Sequence, residues 1–162
     1  MRYYCGIDIG LQGGIVVIDD NSNIIFKEIM PTISNEYNIS ELKLILGRIR
    51  VLDDKVIVGI ESPIAFPGQA SQATLKSGIG FGLMQGLVTS LDFVYVIIAP
   101  NRWTKVIHAG LPKEMKAKDK SRLALQRIYP TEDLRASDRS KKVHEGLMDA
   151  LLIATYLKRE GM

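Results

Sequence analysis

Apolar and β-branched residues gather in three short runs at the start of the chain: YYCGIDI over 3–9, GGIVVID over 13–19 and NIIFKEIM over 23–30. Runs of this length and composition predict strands. The turn-rich joints LQGG and DNSN are short enough to fold them as an antiparallel meander. From 39 to 52 the period changes: ISELKLILGRIRVL sets Ile39, Leu42, Leu46 and Ile49 on one helical face, with Asn38 or Ser40 as N-cap. VIVGIE (56–61) is continuously apolar up to its last residue, as in strands buried within a parallel sheet. Beyond the loop SPIAFPGQ, a glycine-rich stretch to about Leu91 reads as helix and FVYVIIAP (93–100) as a further strand. NRWTKVIHAG, KDKSRLALQRIY and the stretch from about Val143 to Arg159 carry helical periodicity, and the Lys-rich LPKEMKAK joins the first two. The order βββαβαβα with a helical end predicts a single α/β domain over 1–162. Its core is a mixed five-stranded sheet, an antiparallel meander plus parallel strands, flanked by helices.

Three of these apolar segments hold an acid where the pattern asks for a hydrophobe. Asp8 stands between Ile7 and Ile9, Glu61 ends VIVGIE, and Asp149 interrupts HEGLMDALLIATY. One such acid is often a hydrogen-bonded structural residue. Three together say more, because ionised carboxylates are almost never buried without a partner, and the surrounding apolar segments offer no Lys or Arg. A bound cation is the economical partner. Glu145 lies four residues before Asp149 on the same helical face, where like charges destabilise by roughly 0.2–0.5 kcal/mol and a divalent ion between them reverses the sign.

Composition narrows the chemistry. The single cysteine, Cys5, falls in a predicted core strand, which excludes a disulfide framework or a cysteine metal site. All-oxygen ligation suits Mg²⁺, with Mn²⁺ as substitute, rather than zinc or copper. Four carboxylates can hold two such ions about 4 Å apart, an arrangement suited to in-line attack of water on a phosphodiester. No run reaches the roughly 18 apolar residues of a membrane span, and the N-terminus lacks a secretory pattern, so a soluble cytoplasmic protein is expected. The net charge is +3, yet residues 101–142 hold 12 Lys/Arg against 5 Asp/Glu, a local +7 that leaves −4 for the remainder. A basic segment beside an acidic site suits a polyanionic backbone held near carboxylates; the plainer reading is a solvated loop and helix.

GIDIG on a first strand, IVGIE on a fourth and HEGLMDALLIA on a C-terminal helix resemble the RuvC-like Holliday junction resolvases of the RNase H-like (retroviral integrase) superfamily. The resemblance is to the phage and bacterial branch and to the plant organellar resolvases. It runs over nearly the whole chain, with ESPIAFPGQ, SGIGFGLMQG and APNRWTK as further support. It implies an RNase H-like fold and a homodimer that nicks a four-way DNA junction symmetrically, one site per strand, with no nucleotide cofactor. Asp8, Glu61 and Asp149 become metal-binding catalytic acids. Some members carry Asp three residues before the last acid, here Gly146; others carry His or Glu four before it, here Glu145, which becomes the fourth ligand. His144 is the neighbouring candidate, as ligand or proton shuttle, the plainer reading being a solvent-facing histidine in the cap region.

The resemblance also bears on DNA contacts. Phe66 and Gln69 lie in the loop after Glu61, where family members present an aromatic to the branch point; Phe66 either stacks on bases or anchors the loop beside Pro67. Arg102 and Lys105 flank Trp103, which is expected to pack on the sheet. Lys113, Lys116, Lys118, Lys120 and Arg122 form the densest positive stretch and are expected to contact the backbone without reading sequence. Lys141 and Lys142 precede the acid-bearing helix, within reach of the scissile phosphate. Gly78, Gly80, Gly82 and Gly86 each cost a helix roughly 1 kcal/mol, which predicts close approach of the sheet, another subunit or DNA. GIDIG also opens sugar kinases and actin-like ATPases, but 162 residues leave no room for their second lobe. Cleavage of RNA–DNA hybrids or other branched DNA, and a non-catalytic branch-binding module, are the remaining alternatives.

Overall fold

The computed structural model describes residues 1–52, 55–63 and 71–162, without the side chains of Ser71 and Ala73. Strands β1 (Tyr3–Asp8), β2 (Gly14–Asp19) and β3 (Ile24–Ile29) form the meander, and β1 and β2 pair in antiparallel register from Tyr3–Asp19 to Asp8–Gly14. A small hairpin follows, β4 (Thr32–Ile33) and β5 (Glu36–Tyr37), which the hydrophobic pattern does not reveal. Its two-residue turn, Ser34 and Asn35, has positive φ at both positions, and neither residue is the glycine that usually marks such turns. Helix α1 (Ile39–Arg50) is capped by Asn38, not Ser40, its side chain accepting from the Glu41 N–H at 3.2 Å. Strand β6 (Val56–Glu61), helix α2 (Ser71–Ser90), strand β7 (Val94–Ile98), and helices α3 (Pro100–Ile107), α4 (Ala117–Ile128) and α5 (Glu145–Arg159) complete the order. β7 stops at Ile98 because Pro100 opens α3 at a position that needs no N–H.

The five-stranded sheet runs β3-β2-β1-β6-β7, with β1, β6 and β7 mutually parallel. Side chains alternate across it and divide the core in two. Cys5, Ile7, Val58 and Ile60 face α1 and α2 together with Leu42, Leu46, Met84 and Val88. Tyr4, Val16 and Ile18 face the other way, onto α5 and its supports Trp103, Leu125 and Leu134. Cys5 is fully buried and burial pushes its thiol up to about 12, so it is an inert core residue.

Glycines seat α5 directly on the sheet. A Cβ at Gly6 would overlap the Ala150 carbonyl oxygen, and one at Gly146 would overlap the backbone of Gln12 and Gly13. Backbone thus meets backbone at both ends of the contact. Of the four α2 glycines, Gly80 receives the Tyr37 ring, while Gly78, Gly82 and Gly86 have no such neighbour among the described residues.

Candidate active site and nucleic-acid interface

Asp8 and Glu61 are the last residues of neighbouring parallel strands. Register pairs Ile7 with Ile60, so the two acids emerge one step later, side by side at the carboxyl end of the sheet. Both share the sheet face of Gly6 and Gly59, whose absent side chains leave room for Ala150, Ile153 and Leu157 of α5. Asp149, one turn into that helix, lies close enough to feel the charge of both. Sequence positions 8, 61 and 149 are thereby gathered from three elements.

Their electrostatics are those of confined like charges. Burial raises the Asp149 carboxyl to about 7, and Asp8, Glu61 and Glu145 push it in the same direction against a small opposing pull from Lys118. Burial likewise raises Glu61 to about 7, opposed by the hydrogen bond from Trp103 and reinforced by Asp8. Asp8 is raised chiefly by burial, although Gly10 N–H donates to its Oδ1 at 3.1 Å and His144 also lowers it. Each group prefers a proton, or another cation, to bare charge. Among the described residues no three Asp, Glu, His or Cys side chains stand close enough to grip one ion together. The donor set nevertheless fits magnesium-like ions: all oxygen, largely shielded from water, and repulsive when empty of positive charge.

Glu145 differs from these three. Its carboxylate is 43% exposed and receives Lys118 Nζ at 2.6 Å and Arg122 Nη2 at 3.0 Å. The hydrogen bond from Lys118 leads in holding its pKa low. His144 is the N-cap of α5, its ring Nδ1 accepting from the Leu147 N–H at 3.2 Å, while its backbone N–H donates to the Leu134 carbonyl at 2.8 Å. That bond and an isolated bridge between Arg135 and Val143 anchor the loop that carries exposed Lys141 and Lys142. These lysines line an open cleft of about 580 Å³ with Gln12, His144 and Glu145.

Arg102, Lys105, Lys113, Lys116 and Lys118 are all exposed, on α3 and on the loop and first turn of α4. Lys120 is partly buried, its Nζ donating to the Lys113 carbonyl at 3.0 Å, and so shapes that loop. Phe66 and Gln69 lie outside the described residues. The sequence predicts only packing for Trp103. It is buried as expected, but its Nε1 also donates to Glu61 Oε1 at 2.7 Å. The only sequence signal was a polar-ended aromatic in a predicted core helix.

No protein-family model and no curated protein matches the sequence. Solved structures do. Thermus thermophilus RuvC in complex with a Holliday junction substrate aligns over 99% of this chain and 97% of its own, with a TM-score of 0.69 and 17% identity. A second T. thermophilus RuvC structure aligns over the same shares with a TM-score of 0.66 and 19% identity. The chain has the RuvC fold. The expected mixed five-stranded sheet with flanking helices matches the RuvC fold. Among the described residues no helix is long and apolar enough to cross a membrane.

Proposed function

We propose that this protein is a divalent-metal-dependent endodeoxyribonuclease that resolves four-way DNA junctions by paired symmetric nicks, acting as a homodimer. What supports the reading is a RuvC-fold sheet that carries Asp8 and Glu61 side by side at its carboxyl end, with the half-buried Asp149 of α5 feeling the charge of both. Such a cluster is costly to a protein that does not use it. Asp8, Glu61 and Asp149 would hold Mg²⁺, or Mn²⁺ in its place, at two positions. Bound there, the ions would supply activated water and charge stabilisation at the leaving oxygen. Glu145 is the fourth candidate ligand, and joining the other three requires it to release Lys118 and Arg122.

The remaining residues bind and orient. Lys141 and Lys142, exposed in the cleft beside His144 and Glu145, attract the strand to be cut; Arg102, Lys105, Lys113, Lys116 and Lys118 give a broader cationic face. Phe66 and Gln69 are proposed contacts near the branch point. His144, committed to its cap through Nδ1, orients the first turn of α5 and thereby Asp149. The experiment is cleavage of an immobile four-way junction, a linear duplex and an RNA–DNA hybrid, each with Mg²⁺, Mn²⁺ or EDTA. Symmetric metal-dependent nicks in the junction alone are expected. Cleavage of the hybrid, or junction binding without cleavage under every condition, overturns the proposal.

A further inference from the structure

Trp103 is the only tryptophan of the chain and is 3% exposed. A buried indole needs an apolar slot and one acceptor for its N–H. Here the acceptor is not a backbone carbonyl but Glu61 Oε1, 42 residues away in sequence, at 2.7 Å. The ring has little freedom to follow that carboxylate. It belongs to the apolar cluster under α5, and His108 meets it edge-on at 5.9 Å between centroids and 71° between planes. His108 Nε2 in turn lies 3.0 Å from Oγ of buried Ser121 on α4.

We propose that Trp103 is a positioning residue for Glu61: it engages one carboxylate oxygen and so directs the other toward a divalent cation. The inference rests on the nuclease reading above. The donor type suits the task. An indole N–H donates only, carries no charge and keeps its proton, so it orients the carboxylate without neutralising it. A lysine or arginine in its place would satisfy Glu61 and compete with the cation. Outer partners of this kind are known to fix ligand orientation, and their loss commonly costs 10–100-fold in metal affinity or activity.

The test exploits the single indole. In the full-length, metal-free protein, Mg²⁺ is expected to change the emission of Trp103; Glu61→Gln abolishes that response and Glu114→Gln, in the lysine-rich loop, leaves it. Trp103→Phe keeps an aromatic in the slot and removes the donor. Its Mg²⁺ dissociation constant by calorimetry is expected to rise about 10–100-fold, with the far-ultraviolet circular dichroism of the wild type. Mg²⁺ uptake by the wild type without any change in emission overturns the assignment while leaving the nuclease reading intact. So does a folded Trp103→Phe protein with wild-type Mg²⁺ affinity. Should that variant not fold, the emission of the wild type and Glu61→Gln decides alone. A wild-type protein that neither takes up Mg²⁺ nor cuts DNA removes the nuclease reading, and this assignment with it.

Discussion

At one end of the sheet, Asp8, Glu61 and Asp149 share a shielded space and are all raised, the latter two to about 7. A short distance along α5, Glu145 lies between Lys118 and Arg122 and is lowered. These are the same functional groups under opposite conditions. The flank is electrostatically complete: each charge has its counter-charge, exposed to water, and such pairs are typically worth about 0–1 kcal/mol. The acid cluster is incomplete, for its principal donors are neutral: the Gly10 amide for Asp8 and the Trp103 indole for Glu61. A carboxylate's neighbourhood, more than its presence, separates a site poised for cations from an ordinary ion-paired surface.

The contrast is most severely tested by removing a charge from each side. Asp8→Asn is expected to lower junction cleavage by about a thousandfold or more, since metal coordination supplies several kcal/mol of transition-state stabilisation. Junction binding measured in EDTA should survive. Near wild-type turnover would take Asp8 out of the mechanism. Next in size is Gly146→Ala, whose methyl group would meet the backbone of Gln12 and Gly13. A destabilisation of about 1–3 kcal/mol in denaturant titration is expected, as for overpacked cores; an unchanged midpoint would show that α5 is not seated as tightly as described.

Acidity offers a third test. Asp149 is raised in the folded state to about 7, so folding favours its protonated form. Its contribution to stability is therefore fully present below the ordinary carboxylate range and is lost as pH rises through about 7. Asp149→Asn does not titrate. Without metal, its melting temperature should approach that of the wild type near pH 4 and exceed it increasingly toward pH 8, while Mg²⁺ closes the gap. A gap independent of pH would contradict the described repulsion. The smallest effect belongs to the flank: Glu145→Gln should change stability by less than about 1 kcal/mol. If it abolished Mg²⁺ uptake as fully as Asp8→Asn, Glu145 would join the other three acids as an equal ligand.

Much of this was legible in the sequence because it depends on period and on exceptions to period. Short apolar, β-branched runs identify the strands of the sheet, and Asp8, Glu61 and Asp149 stand out as polar breaks in apolar segments. What escaped depends on partners distant in sequence. The bond from Trp103 to Glu61 spans 42 positions, and Glu145 meets Lys118 and Arg122 only after α4 packs beside α5. The glycines that seat α5 escaped for a similar reason. The cluster in α2 attracted notice by its density, whereas Gly6 and Gly146, isolated in the sequence, are where α5 presses on the sheet. The β4–β5 hairpin escaped because two-residue strands are too short to show any period.

Strand β1 lies in the middle of the sheet, bonded to β2 on one side and β6 on the other, and roofed by α5. Core strands of this kind open with free energies toward that of global unfolding. Asp8 therefore borrows its steadiness from the slowest-breathing part of the molecule, and a substitution that softens the core at a distance will also blur the geometry at that carboxylate.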